Sequence, residues 1–135
     1  MRVAVDKTVA AARILIVEDD GIIAHNLERM VVKLGYAVVG AVSSGEEAIQ
    51  KAGEERPDLV LMDVGLAGEL DGVETAAQIQ ARSNMPVIFL TGYARETLFR
   101  DVEVSGPYIC LSKPAYERKL GDAIKELLAG DTTTD

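Results

Sequence analysis

Five short apolar runs punctuate the chain, at residues 14–17, 37–41, 59–62, 87–90 and 108–111. They are rich in Val, Ile and Leu, and four of the five are bounded on both sides by charged, hydroxyl or Pro positions. Runs of that length without alternation predict strands buried on both faces. Between them the period changes. Ile23, Leu27, Met30, Val31 and Leu34 recur at helical spacing, and Gly35 is placed to cap that helix. Ser44-Gly45-Glu46-Glu47 carries a capping-box pattern and opens a second helix, which ends before Pro57. A glycine-bearing loop from Gly65 to Gly72 leads to a third, with Val73, Ala76, Ala77 and Ile79 on its apolar side. Leu98, Phe99 and Val102 give a weaker helical pattern over 95–103, and Gly106-Pro107 then breaks the chain. Leu120, Ile124, Leu127 and Leu128 predict a last helix over 116–128.

Strands alternating with helices through short connections imply a parallel sheet covered on both faces. Right-handed crossovers restrict the topology further. The expected fold is α/β: a three-layer α/β/α sandwich on a five-stranded parallel sheet. Its expected strand order is 2-1-3-4-5, the flavodoxin-like arrangement, with a switch point between strands 1 and 3. Residues 1–12 read as a flexible N-terminal arm, in which Val3, Val5 and Val9 are available to pack on a neighbour. Residues 13–129 read as the domain and 130–135 as a frayed tail.

Composition narrows the function. The chain has 135 residues, which suits one domain, and aromatics are only 4%, so aliphatic side chains must fill the core. Its 22 acids against 14 bases give a net charge of −8, which argues against nucleic acid or an anionic membrane as partner. No apolar run is long enough to span a bilayer, and the start lacks the apolar stretch of a signal peptide. A cytoplasmic location is therefore expected. The lone Cys110 reads as a small buried hydrophobe. The lone His25 reads as a helix-face residue, with no second His to share a metal.

The chemistry collects at strand ends. Glu18 and Asp19 follow the first strand, Asp63 the third, Thr91 the fourth and Lys113 the fifth. Ligands of open α/β sheets bind outside the carboxyl ends of the strands. Three crowded carboxylates repel one another, and a divalent cation removes that penalty. Oxygen ligands without paired His or Cys indicate a hard ion, most simply Mg²⁺, completed by a backbone carbonyl and waters. Asp63 is placed to act as a nucleophile on a phosphoryl donor. Lys113 and the Thr91 hydroxyl would meet the phosphoryl oxygens, and Gly92 keeps side-chain bulk away. A purely structural account competes residue by residue: Asp19 or Asp20 can cap the first helix, and Lys113 can be an ordinary loop lysine. The joint placement at four strand ends favours a site.

Ile14-Leu15-Ile16-Val17-Glu18-Asp19-Asp20, Leu59-Val60-Leu61-Met62-Asp63-Val64, Asp71-Gly72, Pro86-Val87-Ile88-Phe89-Leu90-Thr91-Gly92 and Leu111-Ser112-Lys113-Pro114 stand in the order and spacing of one family. From about Arg13 to Leu128 the chain resembles response-regulator receiver domains. The resemblance implies that Asp63 is the phosphoacceptor and that Thr91 and Lys113 hold the phosphoryl oxygens. It implies that Asp19 binds Mg²⁺ directly, Glu18 mainly through water, and Gly65 through its backbone carbonyl. The implied donor is a sensor histidine kinase or a histidine phosphotransfer protein. The output is a contact with a downstream protein that the sequence does not name, or a phosphorylation-dependent homodimer.

Two positions depart from the common pattern. Many receivers carry a switch aromatic three residues before the lysine, where this chain has Cys110, with Tyr108 two residues earlier. Thr91-Gly92-Tyr93 instead resembles the receivers with a Phe-Ala-Thr-Gly-Tyr signature, the FATGUY group, so Tyr93 and Tyr108 are both candidate switch aromatics. Tyr93 either moves or merely covers the site. The loop from Gly65 to Leu70 has no proline and is about one residue longer than usual, which implies a more mobile mouth. The expectation is a stand-alone signalling module, with no enzyme activity beyond its own phosphorylation and dephosphorylation. A receiver excised from a hybrid histidine kinase is an alternative, as is a Mg²⁺-dependent phosphatase using Asp63. The haloacid-dehalogenase pattern wants a second acid where Gly65 stands. A flavin carrier would need a Gly-rich loop where Glu18-Asp19-Asp20 would repel phosphate.

Overall fold

Each apolar run forms a strand in a computed structural model that describes residues 12–66, 68, 70–92 and 104–130. The strands are β1 (Arg13–Val17), β2 (Ala37–Val42), β3 (Leu59–Asp63), β4 (Val87–Thr91) and β5 (Tyr108–Ser112). They lie parallel in one sheet of order β2-β1-β3-β4-β5, as expected. Four helices are described: α1 (Gly21–Lys33), α2 (Gly45–Glu55), α3 (Gly72–Arg82) and α4 (Glu117–Ala129). The helix expected over 95–103 lies outside the described residues, as do the positions of Val3, Val5 and Val9.

Strand geometry explains why the runs do not alternate. Successive side chains point to opposite faces, and both faces are covered. Leu15, Val17, Val60, Met62, Val87 and Phe89 pack toward α2 and α3. Ile14, Ile16, Leu59, Leu61, Ile88 and Leu90 pack toward α1 and α4. Each such side chain contributes about 1.5–3 kcal/mol on burial, so these two layers, rather than the polar rim, hold the strand ends in place. At the edge, β5 is only half-buried, and Cys110 with it, so the thiol is less enclosed than the sequence suggests.

Local signals set the helix ends. Gly35 takes φ +99°, and its N–H and that of Tyr36 donate to the carbonyls of Val32 and Val31, a Schellman closure of α1. The capping box expected at α2 forms by half. Ser44 Oγ accepts the Glu47 N–H at 3.2 Å, but the Glu47 carboxylate takes the Ser43 N–H at 3.1 Å. The full reciprocal box is at α3, between Asp71 and Glu74. Within the loop from Gly65 to Leu70, Leu66 is buried at 7% exposure in the layer under α3. Ala67 and Glu69 lie outside the described residues.

Candidate functional site

The strand register brings the chemical residues together. Val17 pairs with Met62, so the next residues, Glu18 and Asp63, leave adjacent strands side by side. Asp63 pairs with Leu90, and Thr91 with Ser112, which puts Thr91 and Lys113 one step further along the same rim. The Lys113 N–H donates to the Thr91 carbonyl at 2.9 Å, and the Lys113–Pro114 peptide bond is cis.

The acidic triplet after β1 divides its labour. Asp20 caps α1, its Oδ1 accepting the N–H groups of Ile22 and Ile23 at 2.9 and 3.1 Å. The structural account thus claims Asp20 and leaves the other two. Glu18 turns inward and is 3% exposed, and its Oε2 accepts the Asp20 N–H at 3.0 Å. Asp19 is exposed at the mouth. Asp63 is also 3% exposed, and its Oδ1 accepts from Lys113 Nζ at 2.7 Å and from the Gly65 N–H at 3.1 Å. Lys113 Nζ stands 3.5 Å from Glu18 Oε1.

Among the described residues of the cleft, acids outnumber bases. Burial pushes the Glu18 carboxyl up to about 7; the Asp20 N–H works against this, and the negative charge of Asp63 adds to it. Burial draws the Lys113 ammonium down, but its hydrogen bond to Asp63 and the charges of Asp63 and Glu18 outweigh that and hold it above the ordinary lysine value. Glu18 Oε1 is enclosed and, among the described residues, accepts no hydrogen bond. Carboxylate oxygens of Glu18, Asp19 and Asp63 come within 4.8 Å of one another. An unsatisfied buried oxygen among clustered hard donors fits a divalent cation such as Mg²⁺.

These groups line an open cleft of about 480 Å³ with Gly65, Thr91 and Gly92. Among the described residues, an added Cβ at Gly92 would meet nothing within 4 Å. Thr91 is buried, at 5% exposure. A second, more apolar cavity of about 380 Å³ adjoins it, between Ile23, Leu27 and Met30 of α1 and the segment from Lys113 to Ala115. From the sequence these α1 positions read only as core.

The two candidate switch aromatics fare differently. Tyr93 lies outside the described residues. Tyr108 opens β5, opposite Val87, at the far end of the strand from Lys113. Its ring meets Phe89 edge-on, with centroids 5.8 Å apart. His25 is exposed on α1, as expected.

Sequence reading missed the closeness of Gly72. The N–H of Gly72 donates to the Val64 carbonyl at 3.1 Å, directly beside Asp63. The signal in the sequence is the Asp71-Gly72 pair at the end of the glycine-bearing loop.

Comparisons with known proteins give the family and the fold. The family model described as the response regulator receiver domain matches residues 14–125. The transcriptional regulatory protein PdtaR of Mycobacterium tuberculosis is 34% identical over 102 residues, covering 76% of this chain and 49% of PdtaR. The phyllosphere-induced regulator PhyR of Methylorubrum extorquens is 34% identical over 119 residues, covering 87% of this chain and 44% of PhyR. The chain therefore spans about half the length of these two relatives. Among solved structures, the signal receiver domain of a modulated diguanylate cyclase from Desulfovibrio desulfuricans superposes with a TM-score of 0.82 at 36% identity, covering 93% of this chain and 99% of that one.

Proposed function

The chain belongs to the response regulator receiver domain family of two-component signalling, and on that premise we propose that Asp63 is its phosphoacceptor, with Lys113 and Thr91 as its partners in phosphoryl transfer. The observation that carries this reading is the Asp63 carboxylate itself: buried, gripped through Oδ1 by Lys113 at 2.7 Å and Gly65 at 3.1 Å, and open to the cleft.

The proposed donor is a phosphohistidine on a sensor kinase or a phosphotransfer protein. Lys113 and Gly65 fix the carboxylate through Oδ1 and leave Oδ2 to attack phosphorus. The Oδ2–P bond forms as the P–N bond to the donor imidazole breaks. The imidazole nitrogen keeps the electron pair and takes up a proton. Lys113 then pairs with one phosphoryl oxygen, and the Thr91 hydroxyl donates to another. Asp19, Asp63 and the Gly65 carbonyl, with Glu18 through water, would hold Mg²⁺, which when bound offsets the negative charge of carboxylates and phosphoryl group. Water attacking the aspartyl phosphate reverses the state, and no turnover of other substrates is part of the reading.

Phosphorylation adds roughly −1.5 to −2 charges beside Thr91 and Lys113. That charge favours one of two arrangements of the rim around β4 and β5, and the output is a contact with a downstream protein or a second copy. The reading places this in the cytoplasm; among the described residues, no helix is long and apolar enough to cross a membrane.

The test is phosphotransfer from the histidine kinases of the source organism, with Asp63→Asn in parallel. Labelling of the wild-type chain and loss to background in Asp63→Asn is the expected result. Equal labelling of both would overturn the assignment.

A further inference from the structure

α3 begins hard against the backbone that carries Asp63. A Cβ on Gly72 would run into the Asp63 carbonyl oxygen, and would lie 2.7 Å from Val64 Cα and 2.9 Å from the Asp63 carbonyl carbon. All three obstructing atoms are main chain, which cannot swing aside as a side-chain tip can. The contact is also fastened. Gly72 N–H donates to the Val64 carbonyl at 3.1 Å. The reciprocal box of Asp71 and Glu74 fixes where the helix starts, with N–H donations of 2.9 and 3.1 Å. Thr75 adds its hydroxyl to the Asp71 carbonyl at 2.7 Å. On the other side of the same peptide, Asp63 Oδ1 takes the Gly65 N–H and Lys113 Nζ. The nucleophile and one of its two donors therefore hang from a backbone segment that α3 presses from behind.

We propose that Gly72 is a positioning residue for phosphoryl transfer: its bare Cα lets α3 seat on the Asp63–Val64 backbone and so sets the Asp63 carboxylate against Lys113 and Glu18. The inference rests on the reading of Asp63 as phosphoacceptor. A methyl group at Gly72 forces helix and strand end apart by roughly 1 Å, and a displacement of that size at a reacting group costs up to about 100-fold in rate. Gly106 is the matched control. A Cβ there would also be crowded, 2.7 Å from Gln80 Cδ and Nε2, but the obstruction is a side-chain tip at the end of α3 away from Gly72, near the start of β5 and far from the rim.

The experiment uses the whole chain as wild type, Gly72→Ala, Gly106→Ala and Asp71→Ala. Phosphoramidate is the donor, at saturating Mg²⁺. Two quantities are read: the phosphorylation rate at saturating donor, and the Gly65 amide shift without donor, which reports the carboxylate it bonds. The expected result is a saturated rate at least about tenfold lower in Gly72→Ala, with a moved Gly65 amide. Gly106→Ala keeps the wild-type rate and the wild-type amide. If Gly72→Ala does not fold, Asp71→Ala, which loosens the helix start without adding an atom, shows a smaller loss in rate and the same displaced amide. A wild-type rate in folded Gly72→Ala, or an equal loss in Gly106→Ala, overturns the proposal, as does an unchanged rate in Asp71→Ala where Gly72→Ala fails to fold. A wild-type chain that takes up no phosphoryl group at Asp63 defeats the underlying reading instead. The donor-free Gly65 amide then still decides whether Gly72 sets the carboxylate.

Discussion

The two ends of the sheet bury polar groups in opposite ways. At the amino ends, among the described residues, the buried side-chain polar atoms have partners. Gln80 is 5% exposed; its Nε2 donates to the carbonyls of Met85 and Pro107 at 2.8 and 3.1 Å, and its Oε1 accepts the Gly106 N–H at 3.0 Å. Nearby, Arg13 donates to the Glu55 carbonyl at 2.7 Å and to its carboxylate at 2.9 Å, while Asp58 accepts the Arg13 N–H at 2.8 Å. At the carboxyl ends demand exceeds supply. Glu18 and Asp63 share the ammonium of Lys113, the Asp19 carboxylate lies close to both acids, and among the described residues the one buried side-chain oxygen or nitrogen without a hydrogen bond is Glu18 Oε1. A satisfied polar cluster holds architecture; an unsatisfied one is a place prepared for a ligand. The difference matters because both ends sit on the same hydrophobic layers, so stability alone does not require the mismatch.

Substitutions should then act with opposite sign at the two ends. The largest expected effect is at the amino end. Gln80→Ala takes the side-chain partner from the buried Met85 carbonyl and the half-buried Gly106 N–H, while the Pro107 carbonyl keeps the Val87 N–H, and should cost about 2–3 kcal/mol in urea unfolding. The phosphorylation rate of the folded fraction should stay at the wild-type value; a fall there would join the two ends functionally and break the contrast.

A smaller effect, of the other sign, belongs to Glu18→Gln. Removing a desolvated charge that lacks a full set of partners should raise the stability of the metal-free chain by about 1 kcal/mol at pH 8. The same change should weaken Mg²⁺ binding, read by titration of the rim amides. Destabilisation together with unchanged Mg²⁺ affinity would make Glu18 a structural residue like Gln80.

The same crowding sets a pH slope. The Glu18 carboxyl stands at about 7 in the folded chain against the ordinary 4.5. Between those values the unfolded chain has released a proton that the folded chain keeps. Stability of the metal-free protein should therefore fall as pH rises from about 4.5 to about 7, and level off above. Apparent Mg²⁺ affinity should rise over the same window, because the proton competes for the same oxygens. Glu18→Gln should flatten both curves. A wild-type curve without slope in this window would remove the crowding from the account.

The same division shows in what the sequence reveals. The carboxyl-end site was legible because its residues follow apolar runs whose ends are easy to see. Hydropathy stopped each of three runs one residue short, since Asp63, Thr91 and Ser112 are polar yet still bonded in the ladder. Chemistry at the amino ends was invisible, because the partners of Gln80 are backbone atoms of Met85, Gly106 and Pro107, and backbone leaves no mark in a sequence. The capping box was sought at Ser44 and found complete at Asp71, where an aspartate does the work of a serine. Gly72 was legible as a residue but not as a contact, since what it touches is the main chain of Asp63 and Val64.

The most direct measurement is peptide-resolved mass spectrometry of the chain after incubation with phosphoramidate, with and without Mg²⁺. The expected result is one added phosphoryl group, on Asp63, that forms only with the cation present. A phosphoryl group on another residue, or equal uptake at Asp63 after chelation of all divalent ions, would contradict the claim that the crowded carboxyl-end acids are a cation-dependent phosphorylation site.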